Sequence, residues 1–137
     1  MNNQNVAYVR YLENDDINYL SRISNTSKRD LLDHLVEQKE LFSKDQFYIA
    51  CNGENNPVGA AVFKNIDYKN KHLILVCSPV ERGLIIKFSK YAFNQFDINK
   101  VIVFADQSLD GMPKAGTLRM GKKEVTVYEI RRENLND

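Results

Sequence analysis

The chain has 137 residues, 43% hydrophobic and 27% charged, with six Gly and three Pro. This is the size and composition of one domain around one core, and it excludes a disordered chain or a long flexible linker. Nineteen basic residues against eighteen acidic leave a formal charge of +1; with no long run of either sign, nucleic acid is not an expected partner.

Met1 to Asn5 is polar, and no stretch approaches the ~20 apolar residues that span a bilayer. The expectation is therefore a single soluble domain, in the cytoplasm or inside a particle that carries it. Val6 to Tyr11 has strand composition. Asn14-Asp15-Asp16 then supplies capping oxygens and negative charge for a helix carrying Ile17, Leu20 and Ile23. Ser27 with Asp30 resembles a capping box ahead of Leu31, Leu32, Leu35 and Val36, which share one helical face, so a second helix is predicted to about Phe42.

Gln46 to Cys51 and Val58 to Ile66 form a hairpin about the Asn52–Asn56 turn, and Asp67 to Lys71 is a second turn. His72 to Cys77 is nearly all apolar, the pattern of a central strand covered on both faces. From about Val80 to Phe96, Ile85, Phe88, Ala92 and Phe96 recur at helical spacing. Lys100 to Ala105 is again a buried-type strand, so residues 72–105 make a right-handed crossover with parallel outer strands. Asp106 to Gly116 reads as loop. Thr117–Met120 and Glu124–Arg131 then flank Gly121-Lys122-Lys123 as a closing hairpin. Arg119, Lys122, Lys123, Arg131 and Arg132 are candidates for a basic patch gathered by that hairpin; a solvated hairpin is the plainer alternative.

Cys51 and Cys77 each lie in an apolar run, as buried free thiols do. His34 and His72 have no third ligand at metal-site spacing, and no metal is expected. Cys77 and His72, five residues apart on one strand, point to opposite faces and make no catalytic pair. Phe88, Tyr91, Phe93 and Phe96 fit the packing of one helix better than a binding platform.

This order of elements is similar to the GNAT superfamily of N-acetyltransferases over almost the whole chain. Cys77-Ser78-Pro79-Val80-Glu81-Arg82-Gly83 resembles that family's passage from its fourth strand into its pyrophosphate loop. Tyr91 to Val101 resembles the end of its third helix and start of its fifth strand. Ala115-Gly116-Thr117-Leu118-Arg119 and Val125 to Arg131 resemble its terminal strands. The resemblance implies an α/β fold of the α+β type, with a mixed sheet of about seven strands and three helices. Acetyl-CoA would be the cofactor, with Val76, Cys77, Arg82, Gly83, Leu84, Ile85 and Lys87 at its site.

Two departures accompany it. The family's loop pattern, Arg/Gln-x-x-Gly-x-Gly/Ala, leaves bare amides for a diphosphate, whereas Ile85 and Lys87 stand at its glycine positions here. Residues 106–115 are too few for the family's fourth helix of ordinary length and lack its proton-donating Tyr. The expectation is thus a non-catalytic structural or interaction module with a protein partner or a second copy and no cofactor. The worn loop and Asn/Lys/Ile-rich composition resemble in character the GNAT-like virion proteins of short-tailed phages. The alternative is an acyl-CoA-dependent N-acetyltransferase of a protein or small-molecule amine. No catalytic residue is assigned; Glu81, Asp106, Asp110 and Ser108 are polar candidates that ordinary loop composition also explains.

Overall fold

The computed structural model describes residues 6–24, 27, 29–30 and 46–135. They form a seven-stranded mixed sheet in the order β1-β2-β3-β4-β5-β7-β6. The strands are β1 (Tyr8–Tyr11), β2 (Gln46–Cys51), β3 (Pro57–Asp67), β4 (His72–Ser78), β5 (Lys100–Ala105), β6 (Lys114–Met120) and β7 (Lys123–Arg131). Two helices are described, α1 (Ile17–Ser24) and α2 (Arg82–Gln95). The second helix predicted from Ser27 to Phe42 lies largely outside the described residues. At its start, the Asp30 amide donates to Ser27 Oγ at 3.2 Å, as a capping residue requires.

Turn chemistry fixes the hairpins. Asn52 Oδ1 accepts the Glu54 and Asn56 amides at 2.9 and 3.0 Å, while Asn55 takes a positive φ of 65°. Asp67 Oδ1 accepts from Lys69 and Asn70, both at 3.0 Å, closing the β3–β4 turn. The carbonyl of Lys71, just past that turn, accepts the Asn99 and Lys100 amides at 2.7 and 3.2 Å. That clamp sets the parallel register His72↔Lys100.

Alternation along the strands then separates two faces. On one, Tyr48, Phe63, Leu73, Leu75, Val101, Val103, Tyr128 and Ile130 meet Leu84, Ile85, Phe88 and Ala92 of α2 in the main core. Phe63 is its centre: its ring lies 4.5 Å from that of Tyr48, 6.4 Å from Phe88 and 6.0 Å from Phe96. The aromatic residues of α2 are thus core. On the other face Ile49, Cys51 and Ala60 pack against Tyr19, Leu20 and Ile23 of α1. A 3-10 turn, Asn14–Asp16, leads into α1, and the buried Asp16 carboxylate ties it to β1 through Arg10, at 2.7 and 2.9 Å. Among the described residues, no helix is long and apolar enough to cross a membrane.

One expectation needs correction. β6 begins at Lys114, not Thr117, because the Pro113 carbonyl accepts the Glu129 amide at 3.1 Å and starts the pairing early. Of the two readings of the basic residues, the solvated hairpin fits and the single patch does not assemble. Lys123 and Arg131 sit at opposite ends of β7, about 27 Å apart at ~3.4 Å per residue. Arg132 instead donates to the Phe93 carbonyl at 2.9 Å and lies over its ring, and Lys123 faces Asp106 at 3.6 Å.

Candidate active site

The site arises where the central parallel pair comes apart. β4 and β5 pair from His72↔Lys100 to Leu75↔Val103 and no further. Yet β4 stays with β3 as far as Ser78, and β5 with β7 as far as Ala105. The strands are clamped at the Lys71 end and held by outer neighbours at the other, so a cleft opens between Val76–Ser78 and Phe104–Ala105. Past the last rung, Leu75↔Val103, the two strands no longer pair with each other, which is how a sheet presents amides and carbonyls to a ligand.

The N-terminus of α2 stands at the head of the cleft. Glu81 is its N-cap in extended conformation, with no side-chain cap bond, and the first helical hydrogen bond runs from the Ile85 amide to the Glu81 carbonyl at 3.0 Å. The amides of Arg82, Gly83 and Leu84 therefore lead the helix without intrahelical acceptors. Gly83 is exposed, and a Cβ built on it would meet nothing within 4 Å. Lys87, four residues on, shares its helix face, and helical side chains lean toward the N-terminus, so its charge lies toward the Gly83 ledge. Arg82 reaches the other way, across Gly111: a Cβ on Gly111 would come within 3.3 Å of its Nε.

Ile85 is 0% exposed and Leu84 nearly as buried, both in the core against the sheet. The expectation that Ile85 puts bulk where a phosphate would sit is thus corrected: its side chain points away, and the bare position is Gly83. Of the residues anticipated, Val76, Cys77, Arg82, Gly83 and Lys87 border the cleft and helix start. Leu84 and Ile85 present only backbone there.

Cys77 is a poor nucleophile. Burial first, and then Glu81, pushes its thiol up to about 12, and Sγ donates to the Pro79 carbonyl at 3.2 Å. Cys51 and Cys77 are both free and buried. Tyr19 was not singled out from sequence. Burial pushes its phenol up to about 12, with smaller contributions from the neighbouring charges, and its ring packs on Ile49, Cys51 and Ala60. Only its tertiary neighbours set it apart from any other amphipathic-helix tyrosine.

The loop after β5 is short and tied down. Leu109 donates its amide to Tyr128 Oη at 2.8 Å, Leu109 and Met112 pack on the core, and Gln107 Nε2 donates to the Val80 carbonyl at 2.9 Å. No helix forms between β5 and β6. Asp106 and Asp110 are exposed in this loop, as is Ser108.

No protein-family model and no curated sequence matches the chain. Solved structures do. A point mutant of the spermidine N-acetyltransferase SpeG from Vibrio cholerae is similar with a TM-score of 0.73 at 16% identity, covering 93% of this chain and 95% of that one. A second mutant gives 0.71 at 16% identity with the same coverage. The chain has the GNAT fold. SpeG in complex with CoA and spermine gives a TM-score of 0.65 at 15% identity, over 93% of this chain and 97% of that chain. The GNAT topology accounts for the element order of this chain and for the parting of β4 and β5 ahead of α2.

Proposed function

We propose that the chain is an acyl-CoA-dependent N-acetyltransferase that takes its cofactor in the β4–β5 cleft. The observation that carries this reading is the conjunction of the open cleft with the uncapped α2 start, where Gly83 leaves room for a ligand. A diphosphate fits that ledge: the amides of Arg82, Gly83 and Leu84 and the charge of Lys87 are the groups that would hold it. The thioester supplies an activated acyl carbon and a thiolate leaving group. Backbone amides beside Val76 and Cys77 would orient and polarise its carbonyl. The protonated Cys77 thiol argues for direct attack by the acceptor amine over an acyl-cysteine route. Likeness to SpeG, one form of which holds CoA and spermine, favours this activity over a worn, non-catalytic fold.

Calorimetric titration with acetyl-CoA tests the reading. Micromolar binding is expected, and Gly83→Asp lowers affinity at least tenfold while leaving thermal stability unchanged, because an acidic residue in a first helical turn suits the dipole but repels phosphate. Absence of binding at millimolar ligand contradicts it.

A second reading, the non-catalytic module with a protein partner or a second copy, draws on the Gln107 bridge to Val80 across the cleft's head. It is also favoured by the lack of a Tyr in residues 106–115. Under it acetyl-CoA does not bind, and light scattering finds an oligomer.

A further inference from the structure

Beside the cleft, on the face opposite α2, one row of side chains crosses four strands. Val62 pairs with Val76, Phe104 follows the last β4–β5 rung, and Phe104 pairs with Val127. Val76 is 51% and Phe104 39% exposed, although both belong to central strands, where such side chains are ordinarily covered. The row ends at Gly116, the partner of Val127, where a Cβ would meet nothing within 4 Å. Among the described residues it is therefore an open apolar strip about 15 Å long at ~4.8 Å per strand, and the cleft runs through it between Val76 and Phe104.

The charges on this face have one prevailing sign. Alternation puts Lys64, Lys100, Lys123 and Arg131 on it, Lys123 being paired with Asp106 at 3.6 Å. Of the strand carboxylates there, Asp67 accepts the Lys69 and Asn70 amides in its own turn, and the other is Glu129. That carboxylate already faces Lys100 at 3.9 Å and Arg131 at 3.4 Å. Among the described residues, no group of three or more acidic or other metal-binding side chains forms anywhere. A polycation approaching from this side meets cations and apolar surface; an uncharged apolar body meets a strip that excludes water with it.

We propose that the acceptor is a primary amine carried on an apolar body with no second positive charge, its body lying on the Val62–Val76–Phe104–Val127 strip and its nitrogen at the cleft. The proposal rests on the acyltransferase reading. In the reaction the amine nitrogen bonds to the acyl carbon, the carbon–sulfur bond breaks, the thiolate leaves with the electron pair, and the nitrogen's proton passes to solvent. Burial of a phenyl ring against the strip, set against unpaired charge, gives at least tenfold discrimination.

The test uses the full chain with acetyl-CoA, following thiol release with phenethylamine and with spermidine. Expected are a kcat/KM at least tenfold higher for phenethylamine, a fall of about tenfold for that amine in Phe104→Asp, and a rise for spermidine in the same variant. Phe104→Ala, which adds no charge, lowers the phenethylamine rate severalfold and the spermidine rate by a smaller factor. Spermidine turned over as well as phenethylamine, or a phenethylamine rate unmoved by both substitutions, overturns the proposal. If acetyl-CoA binds and neither amine reacts, this inference fails and cofactor binding stands. If acetyl-CoA does not bind, both fall.

Discussion

Asp16 is the one charged side chain in the interior of the described residues, and burial alone would raise its pKa. The paired Arg10 guanidinium and the Glu13 amide, at 2.8 Å, hold the carboxyl below its ordinary range instead. Because Arg10 is only partly covered, Asp16→Ala should cost about 2–3 kcal/mol, less than breaking a fully buried pair. The folded chain releases this proton more readily than the unfolded one. The contribution is therefore complete above the unfolded value of about 3.8 and is lost as pH falls through the folded value. Urea denaturation of wild type and variant should show a gap that is constant near neutrality and closes below about pH 4. A gap that widens in acid would contradict the assignment.

The same scale shows why part of the site could not be read from sequence. Aligning a glycine pattern on Arg82 makes Ile85 and Lys87 look like obstructions. Once the helix is built, 84, 85 and 88 turn inward, while 83 and 87 share the outer ledge. A motif compares positions along a line, whereas a phosphate meets one face of a helix.

At the scale of elements, α2 can approach the sheet because Gly59 of β3 has no side chain. A Cβ there would lie 2.7 and 2.8 Å from the two methyl carbons of Leu84, and Leu84 is itself packed in the core. Gly59→Ala must displace the packed Leu84 side chain, and with it the first turn of α2 where that side chain cannot turn aside, costing about 1–2 kcal/mol and weakening acetyl-CoA binding, since that turn bears the Gly83 ledge. Gly53→Ala, where a Cβ meets open space, should change neither. Thermal melts and titrations of the pair check this, and equal behaviour of the two variants would remove Gly59 from the account. The elements themselves were largely legible. β5 was read at its observed bounds and α2 within two residues of each end, because a 3.6-residue period and an unbroken apolar run are direct consequences of burial. The start of β6 was missed because its signal is a tertiary bond from Glu129 to Pro113, and the composition of 114–116 carries no strand pattern.

Across the whole molecule, topology does what local sequence cannot. The resemblance to the GNAT family implied a mixed sheet of about seven strands, and the unbroken apolar run of 72–77 marked β4 as central; the sheet has that form. The cleft was not legible, since it depends on where one ladder stops while its neighbours continue. The candidate basic patch does not assemble for a related reason: residues close in a hairpin's sequence separate to opposite ends of a long strand. The expectation of a non-catalytic module was built on two glycine positions and on the short, Tyr-free stretch 106–115; the three-dimensional placement of Ile85 removes the steric argument, while the stretch after β5 forms no helix.

The central claim is that the parted strands and the bare start of α2 form one receptor for a nucleotide thioester. Amide chemical-shift mapping of the labelled chain during addition of coenzyme A addresses it directly. The account predicts shifts concentrated at Val76–Ser78, Arg82–Leu84 and Phe104–Ala105, with the α1 amides little changed. Shifts confined to any other surface, or none at millimolar ligand, would contradict it.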